Sequence, residues 1–168
     1  RVNLDDPVSR FFPEFANQVV LVGEGETRPA AGPTTIRHLM SHTGGVVYPF
    51  LSTKTALNAL YTETAVSEPG IDVQEQARRI GRLPLGADPG AEWNYSHSTD
   101  ILGAVIEVAA GQTLDVALQE RIFDPLAMED TGFVQPAENA GRIASSGEAL
   151  CAASPLEKPA LLSGGGGL

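Results

Sequence analysis

The sequence predicts a mainly α fold with minor β. The run from Ser98 to Gly111 is the first reason: its Ile101, Leu102, Val105, Ile106 and Val108 follow a helical spacing. Several shorter stretches share that period. By contrast, only QVVLVG, Gln18 to Gly23, reads as a strand, and its length is marginal. With 18 Gly and 12 Pro, turns and loops must fill much of the remainder.

The elements follow in chain order. Leu4 to Phe15 holds a short helix or two, with Pro7 near a first turn and Pro13 as an interruption. After the strand, GETRPAAGP is a connector. TTIRHLMSHTGG reads as a short helix capped by Thr34 or Thr35, with Ile36, Leu39 and Met40 on one face and Gly44 and Gly45 as its end. LSTKTALNALYTETA and VQEQARRIGRL are two further helical regions. PLGADPGAEWNY is a loop with a tight turn at Pro89 and Gly90. Ser98 is the expected N-cap of the clearest helix, Asp100 suits its positive start, and Gly111 stops it. QTLDVALQERIFDPLAM is then a helix capped by Thr113 and closed by Pro125. Thr131 to Pro159 is broken by glycine and proline and has room for short strands.

Composition narrows the function classes. The 168 residues are enough for one domain with a real core. No apolar run of about 18 residues occurs, so no membrane-spanning helix is predicted. A net charge of -10 disfavours nucleic acid, whose phosphates need compensating cations. The basic cluster Arg78, Arg79 and Arg82 is too short to reverse this. A single cysteine, Cys151, forms no internal disulfide and leaves the compartment open, cytoplasmic or secreted. It has no basic neighbour in sequence and reads as an inert thiol. Both ends read as cut, in RVNLDDP and SGGGGL, so a piece of something larger is expected.

Most known chemistries fail on spacing. His38 and His42 stand four apart, as on one helix face, but the acidic member of HExxH is absent because position 39 is Leu. Those histidines read as braces of a helix end. No P-loop, G-x-G-x-x-G or G-x-S-x-G occurs. Ser-x-x-Lys is absent too: Ser52 is followed by Lys54, and Ser154 by Lys158. Adjacent acids at Asp5 and Asp6, or Glu129 and Asp130, have no setting suited to glycosidase work. The chain thus carries no self-contained activated nucleophile.

Several stretches, in order, nevertheless resemble one family. RHLMSHTGG, Arg37 to Gly45, resembles the "RHLLSHTSG" signature of the serine β-lactamase-like superfamily. That superfamily includes class C β-lactamases, family VIII (EstB-type) carboxylesterases and DD-peptidases. Asn3 to Phe15 is similar to the segment after the family's nucleophile helix. PGAEWNYSHSTDILGAVIEVAAGQTL, Pro89 to Leu114, resembles "PG..W.YSN..Y.LLG.IIE..TG..". RIFDPLAMEDTGF resembles "..I..PLGM.DT.F", and SGGGGL the glycine run before the "VST..D" helix.

The resemblance implies the helical domain region of an α/β plus all-α fold, with a cleft between the two domains. It implies acyl transfer by a Ser-x-x-Lys serine, with a tyrosine of a Tyr-x-Asn motif moving the proton. That tyrosine is Tyr95 here. A phenol with a pKa near 10 is a poor base at neutral pH, and a neighbouring ammonium would correct this. The family asparagine falls at His97, which lacks the amide's paired donor and acceptor. This departure points to an esterase. Ser96 has no activator nearby in sequence and reads as a packed or capping serine. Trp93 is either a cleft wall or a core anchor. His42 and Thr43 brace the cleft.

The nucleophile helix is expected before Arg1 and the closing Lys-Thr-Gly or His-Gly-Gly strand after Leu168. Residues 1–168 are thus expected to be a partial domain, inactive alone, completed by the remainder of the protein in the same or another chain. The implied partner is a small ester or amide, with no cofactor. Two other readings are a β-lactamase or D-Ala peptidase, and a non-catalytic binding or scaffold protein.

Overall fold

The computed structural model describes residues 1–23, 25–134 and 136–142. Cys151, the SGGGGL segment and most of the glycine- and proline-broken tail lie outside them. Within the described residues the fold is mainly helical with one small antiparallel sheet.

The N-terminal segment makes two 3₁₀ turns, Val8–Arg10 and Pro13–Phe15, with Pro13 opening the second. It runs beside the start of the next helix: Val8 N–H donates to Thr34 O, Ile36 to Asp6 O and Arg37 to Leu4 O. β1 (Val19–Leu21) pairs with β2 (Thr27–Pro29), Val20 opposite Arg28. β2 lies inside the stretch expected to be a plain connector. All three of its residues are exposed, so it has no apolar alternation to betray it, and its proline sits where an edge tolerates one. On its other side β1 exchanges two hydrogen bonds with Leu85: Leu21 N–H to Leu85 O, and Leu85 N–H to Val19 O.

Among the described residues five α-helices follow this frame. α1 (Ile36–Met40) starts with a reciprocal cap: Thr35 Oγ1 accepts from His38 N–H, and His38 Nδ1 accepts from Thr35 N–H. α2 is Thr55–Glu63. α3 (Val73–Gly81) is capped by Asp72, whose Oδ1 accepts from Glu75 N–H at 2.7 Å. α4 (Ser98–Ala110) is the central helix and packs against both α1 and α3. Its Ile101, Ala104 and Val105 meet Leu39, Ala77 and Ile80 in the main core. Gly111, with φ of 68°, ends it in the left-handed region.

Two expectations are corrected here. Ser98 is not the N-cap of α4. His97 holds that position without a side-chain cap, and Ser98 is the first helical residue, its hydroxyl turned to Ser96. Nor is Thr113 to Pro125 one α-helix. α5 (Leu114–Leu118) widens into a π-turn, Gln119–Phe123. Thr113 sits at the cap position without capping. Instead Glu107 Oε1 accepts from Leu114 N–H, while its Oε2 accepts from Gln74 Nε2. One buried carboxylate therefore joins α3, α4 and α5. Pro125 has no N–H to continue the α pattern, and Asp124 N–H reaches back five residues to Gln119 O.

No single helix among the described residues is long and apolar enough to cross a membrane.

Gly45 shows how closely the segments meet. Its φ is 79°, and a Cβ there would stand 2.3 Å from Ala87 O. Gly45→Ala combines a left-handed backbone with a backbone clash, and should destabilise the fold by about 3 kcal/mol in urea unfolding. A loss under about 0.5 kcal/mol would mean that the two segments separate freely.

Candidate active site

The site is built from the end of α1, the segment after it, and the loop before α4. α1 ends in a Schellman arrangement: Thr43 N–H donates to His38 O at 2.8 Å and His42 N–H to Leu39 O at 3.1 Å. The residue that must turn left-handed is His42, with φ of 54°. Glycine is usual there, so a histidine is a departure in need of a reason. It also corrects two expectations: the helix ends through His42 rather than Gly44 and Gly45, and His38 and His42 share no helix face.

The loop is laced to this turn by main-chain bonds. Gly86 N–H donates to Gly45 O, Gly90 to Thr43 O and Asn94 to His42 O, at 2.7, 2.8 and 2.8 Å. Arg28 grips Asp88 with both guanidinium nitrogens, and Asp88 Oδ1 also accepts from Ala31 N–H. These donors hold the Asp88 carboxyl down at about 2. Lys54 Nζ donates to Gly86 O.

Out of this support projects a chain of rings. Trp93 meets His42 edge-on at 6.4 Å, His42 meets Tyr95 at 5.0 Å, Tyr95 meets Tyr48 at 5.4 Å, and Tyr48 stacks on Phe50 at 5.2 Å. Trp93 is 67% exposed, Phe50 76% and Tyr95 47%. Large aromatics normally bury their area, so an exposed row of them is a candidate contact surface. Beside the row lies a hollow of about 530 Å³, walled by Phe50, Tyr61, Val66, Pro69 and His97.

Beneath the rings the polar groups are buried. Ser96, His97, Ser98 and Asp100 are all at least nine-tenths covered. Ser96 and Ser98 share a hydrogen bond of 2.8 Å, and Ser96 Oγ lies 3.4 Å from His42 Nδ1. Asp100 Oδ2 accepts from His97 Nδ1 at 2.9 Å and from the Tyr48 hydroxyl at 3.2 Å. Burial, followed by the charge and hydrogen bond of Asp100, pushes the Tyr48 phenol well above its usual value. Burial lowers the pKa of His42, with Asp100 opposing it.

The residues singled out from sequence thus come together unevenly. Tyr95 and Trp93 face solvent, and Trp93 stands outside the core of the described residues. His42 lies against both. Ser96 and His97 lie beneath. Thr43 is half-buried, and its hydroxyl pairs with Ser41 at 2.8 Å. Tyr48, Phe50 and Asp100 join this cluster with no motif to mark them in the sequence. In the sequence Asp100 is only a helix-start charge, and VVYPF carries no motif that reveals Tyr48. Among the described residues no group of three or more His, Cys, Asp or Glu is placed to hold a metal ion.

Known proteins share this arrangement of chain. Esterase EstB of Burkholderia gladioli is 38% identical over 136 residues, 78% of this chain and 32% of that protein. A lovastatin esterase of Penicillium rubens is 34% identical over 138 residues, 79% of this chain and 33% of its own length. The structure of EstCE1, described as a hydrolase with promiscuous acyltransferase activity, superposes with a TM-score of 0.65 at 30% identity, covering 82% of this chain and 35% of that one. The class is that of the serine β-lactamase-like fold. A model of the Beta-lactamase family matches residues 1–168, and the chain belongs to that family. It spans about a third of the length of the curated relatives it matches.

The lowered pKa of His42 has a definite sign. The native state resists its protonation more than the unfolded chain does. Stability is therefore unaffected by this group above about pH 6.5 and falls as pH drops below that value. An NMR titration should place the His42 midpoint below about 6.5. A midpoint above it would mean that Asp100's charge outweighs burial.

Proposed function

We propose that this chain forms one wall of the active site of a serine carboxylesterase, with Tyr95 as its proton-transfer residue. The observation that carries the reading is the contrast at the loop before α4. Tyr95 alone of the Tyr95–Ser98 stretch stands half-exposed, while Ser96, His97 and Ser98 are locked beneath it.

The proposed nucleophile is a serine of a Ser-x-x-Lys helix outside these 168 residues, which contain no such motif. The serine oxygen adds to the ester carbonyl while the Tyr95 oxygen takes its proton. The tetrahedral intermediate collapses, the alkoxide leaves, and Tyr95 returns the proton to it as alcohol. Water then adds to the acyl-enzyme, gives a proton to Tyr95, and releases the acid. The serine oxygen recovers that proton. The lysine ammonium would hold the phenolate form of Tyr95.

Ester rather than lactam chemistry is supported by His97. It stands where the family's amide would be, and it is buried on Asp100, so it offers no paired donor and acceptor to a substrate. The similarity to proteins called esterases supports the same choice.

In the full protein carrying this chain, Tyr95→Phe should lower kcat on p-nitrophenyl esters by about 10²–10⁴-fold with a folded protein retained. A kcat within twofold of the parent sinks the assignment of Tyr95. Separately, the 168 residues alone should turn over neither p-nitrophenyl acetate nor nitrocefin. Turnover abolished by Ser96→Ala would make Ser96, with His42 beside it, the nucleophile and overturn the proposal.

A further inference from the structure

We propose that Tyr48, anchored on Asp100, is a positioning residue for Tyr95. This rests on the reading of Tyr95 given above and adds two residues to it.

The Tyr95 ring has no rigid element of its own. It sits on a loop, and its oxygen must stay within a few tenths of an ångström of a productive place for proton transfer. Two rings bracket it, His42 at 5.0 Å and Tyr48 at 5.4 Å. His42 is fixed by the Schellman turn and by main-chain bonds. Tyr48 is on the segment between Gly45 and α2, where it stacks on the largely exposed Phe50. What holds Tyr48 is its hydroxyl, which donates to Asp100 Oδ2. The same oxygen accepts from His97 Nδ1, and the Tyr48 ring meets the His97 ring edge-on at 4.2 Å. Asp100 itself belongs to the first turn of α4, which packs against both α1 and α3. The line of support therefore runs from the core, through Asp100, to Tyr48 and so to the Tyr95 ring.

A buried carboxylate is costly unless its oxygens are paired with donors. Asp100 at the opening of a helix gains something from the dipole, but an exposed acid would gain that too. Its burial next to two aromatic donors is explained by the anchoring role. Tyr48 does not exchange protons in this scheme, because both burial and Asp100 keep its hydroxyl protonated.

The test is a double-mutant cycle in the full protein, reading kcat and KM on a p-nitrophenyl ester. Tyr48→Phe keeps the ring and volume and removes only the anchor. It should lower kcat by about tenfold or more with KM within about twofold. In a Tyr95→Phe background the same change should cost less than about twofold, because the residue it positions has already lost its hydroxyl. Asp100→Ala should resemble or exceed Tyr48→Phe, and Asp100→Asn, which keeps an acceptor oxygen, should recover part of the loss. An unchanged kcat in Tyr48→Phe overturns the proposal. So does an equal loss in both backgrounds, which would make Tyr48 a general support of the fold. If Tyr95→Phe alone is harmless, the reading of Tyr95 fails first and this inference falls with it.

Discussion

Three main-chain hydrogen bonds join the turn after α1 to the loop before α4, from Gly86, Gly90 and Asn94 to Gly45, Thr43 and His42. The site depends on them. Neither segment is a helix or a strand, so neither has an internal ladder to keep it in place. Laced together, each satisfies the other's backbone groups, as buried polar groups require. The lacing needs close approach, which is why Gly45 has no room for a side chain against Ala87 O. Leu85 extends the same seam into the sheet through its two bonds with β1. The small sheet therefore matters less as a sheet than as the fixed end of the loop that carries Trp93 and Tyr95.

The seam divides the loop chemically. Trp93 and Tyr95 point outward and Ser96, His97 and Ser98 inward. Exposed rings give a surface that a flat or apolar group can contact, at little conformational cost, since aromatic side chains have few rotatable bonds. Buried hydroxyls and imidazole give rigidity, but only because each has a partner: Ser96 with Ser98, His97 with Asp100. A reactive tyrosine needs both conditions, access on one side and immobility on the other.

How much of this could be read in the sequence depends on whether the signal was local. α3 and α4 were legible because their apolar residues repeat at helical spacing over several turns. The cap of α3 was equally legible in principle, since Asp72 stands three residues before Glu75 in a known capping pattern. Tyr95 and Trp93 stand out only through the family resemblance; nothing in their spacing alone selects them. Tyr48 and Asp100 give no such signal, because their meeting spans 52 positions and no motif. The position of His42 is not legible in the sequence. Two histidines four apart suggest one helix face, and only the backbone shows that the helix ends between them. Ser98 was a reasonable cap by residue type, but a buried Ser96 offered its hydroxyl a competing partner. β2 has no alternation to detect, and the widening of α5 into a π-turn leaves no signature in the local sequence.

Two tyrosines so close together raise the question of which one could work as a base. Their surroundings separate them. Tyr48 is anchored to a carboxylate, and both the negative charge and the burial disfavour a phenolate there. A proton removed from Tyr48 would also break its bond to Asp100 and set two negative oxygens about 3.2 Å apart. Tyr48 is therefore confined to donation. Tyr95 bears no such partner among the hydrogen bonds of the buried network, and its exposure leaves room for a cation to approach from outside the wall. Under the proposal above, the same carboxylate that disqualifies Tyr48 as a base fits it to hold Tyr95. Two residues of one kind thus differ in what their surroundings allow: Tyr48 is held as a donor, while Tyr95 stands half-exposed.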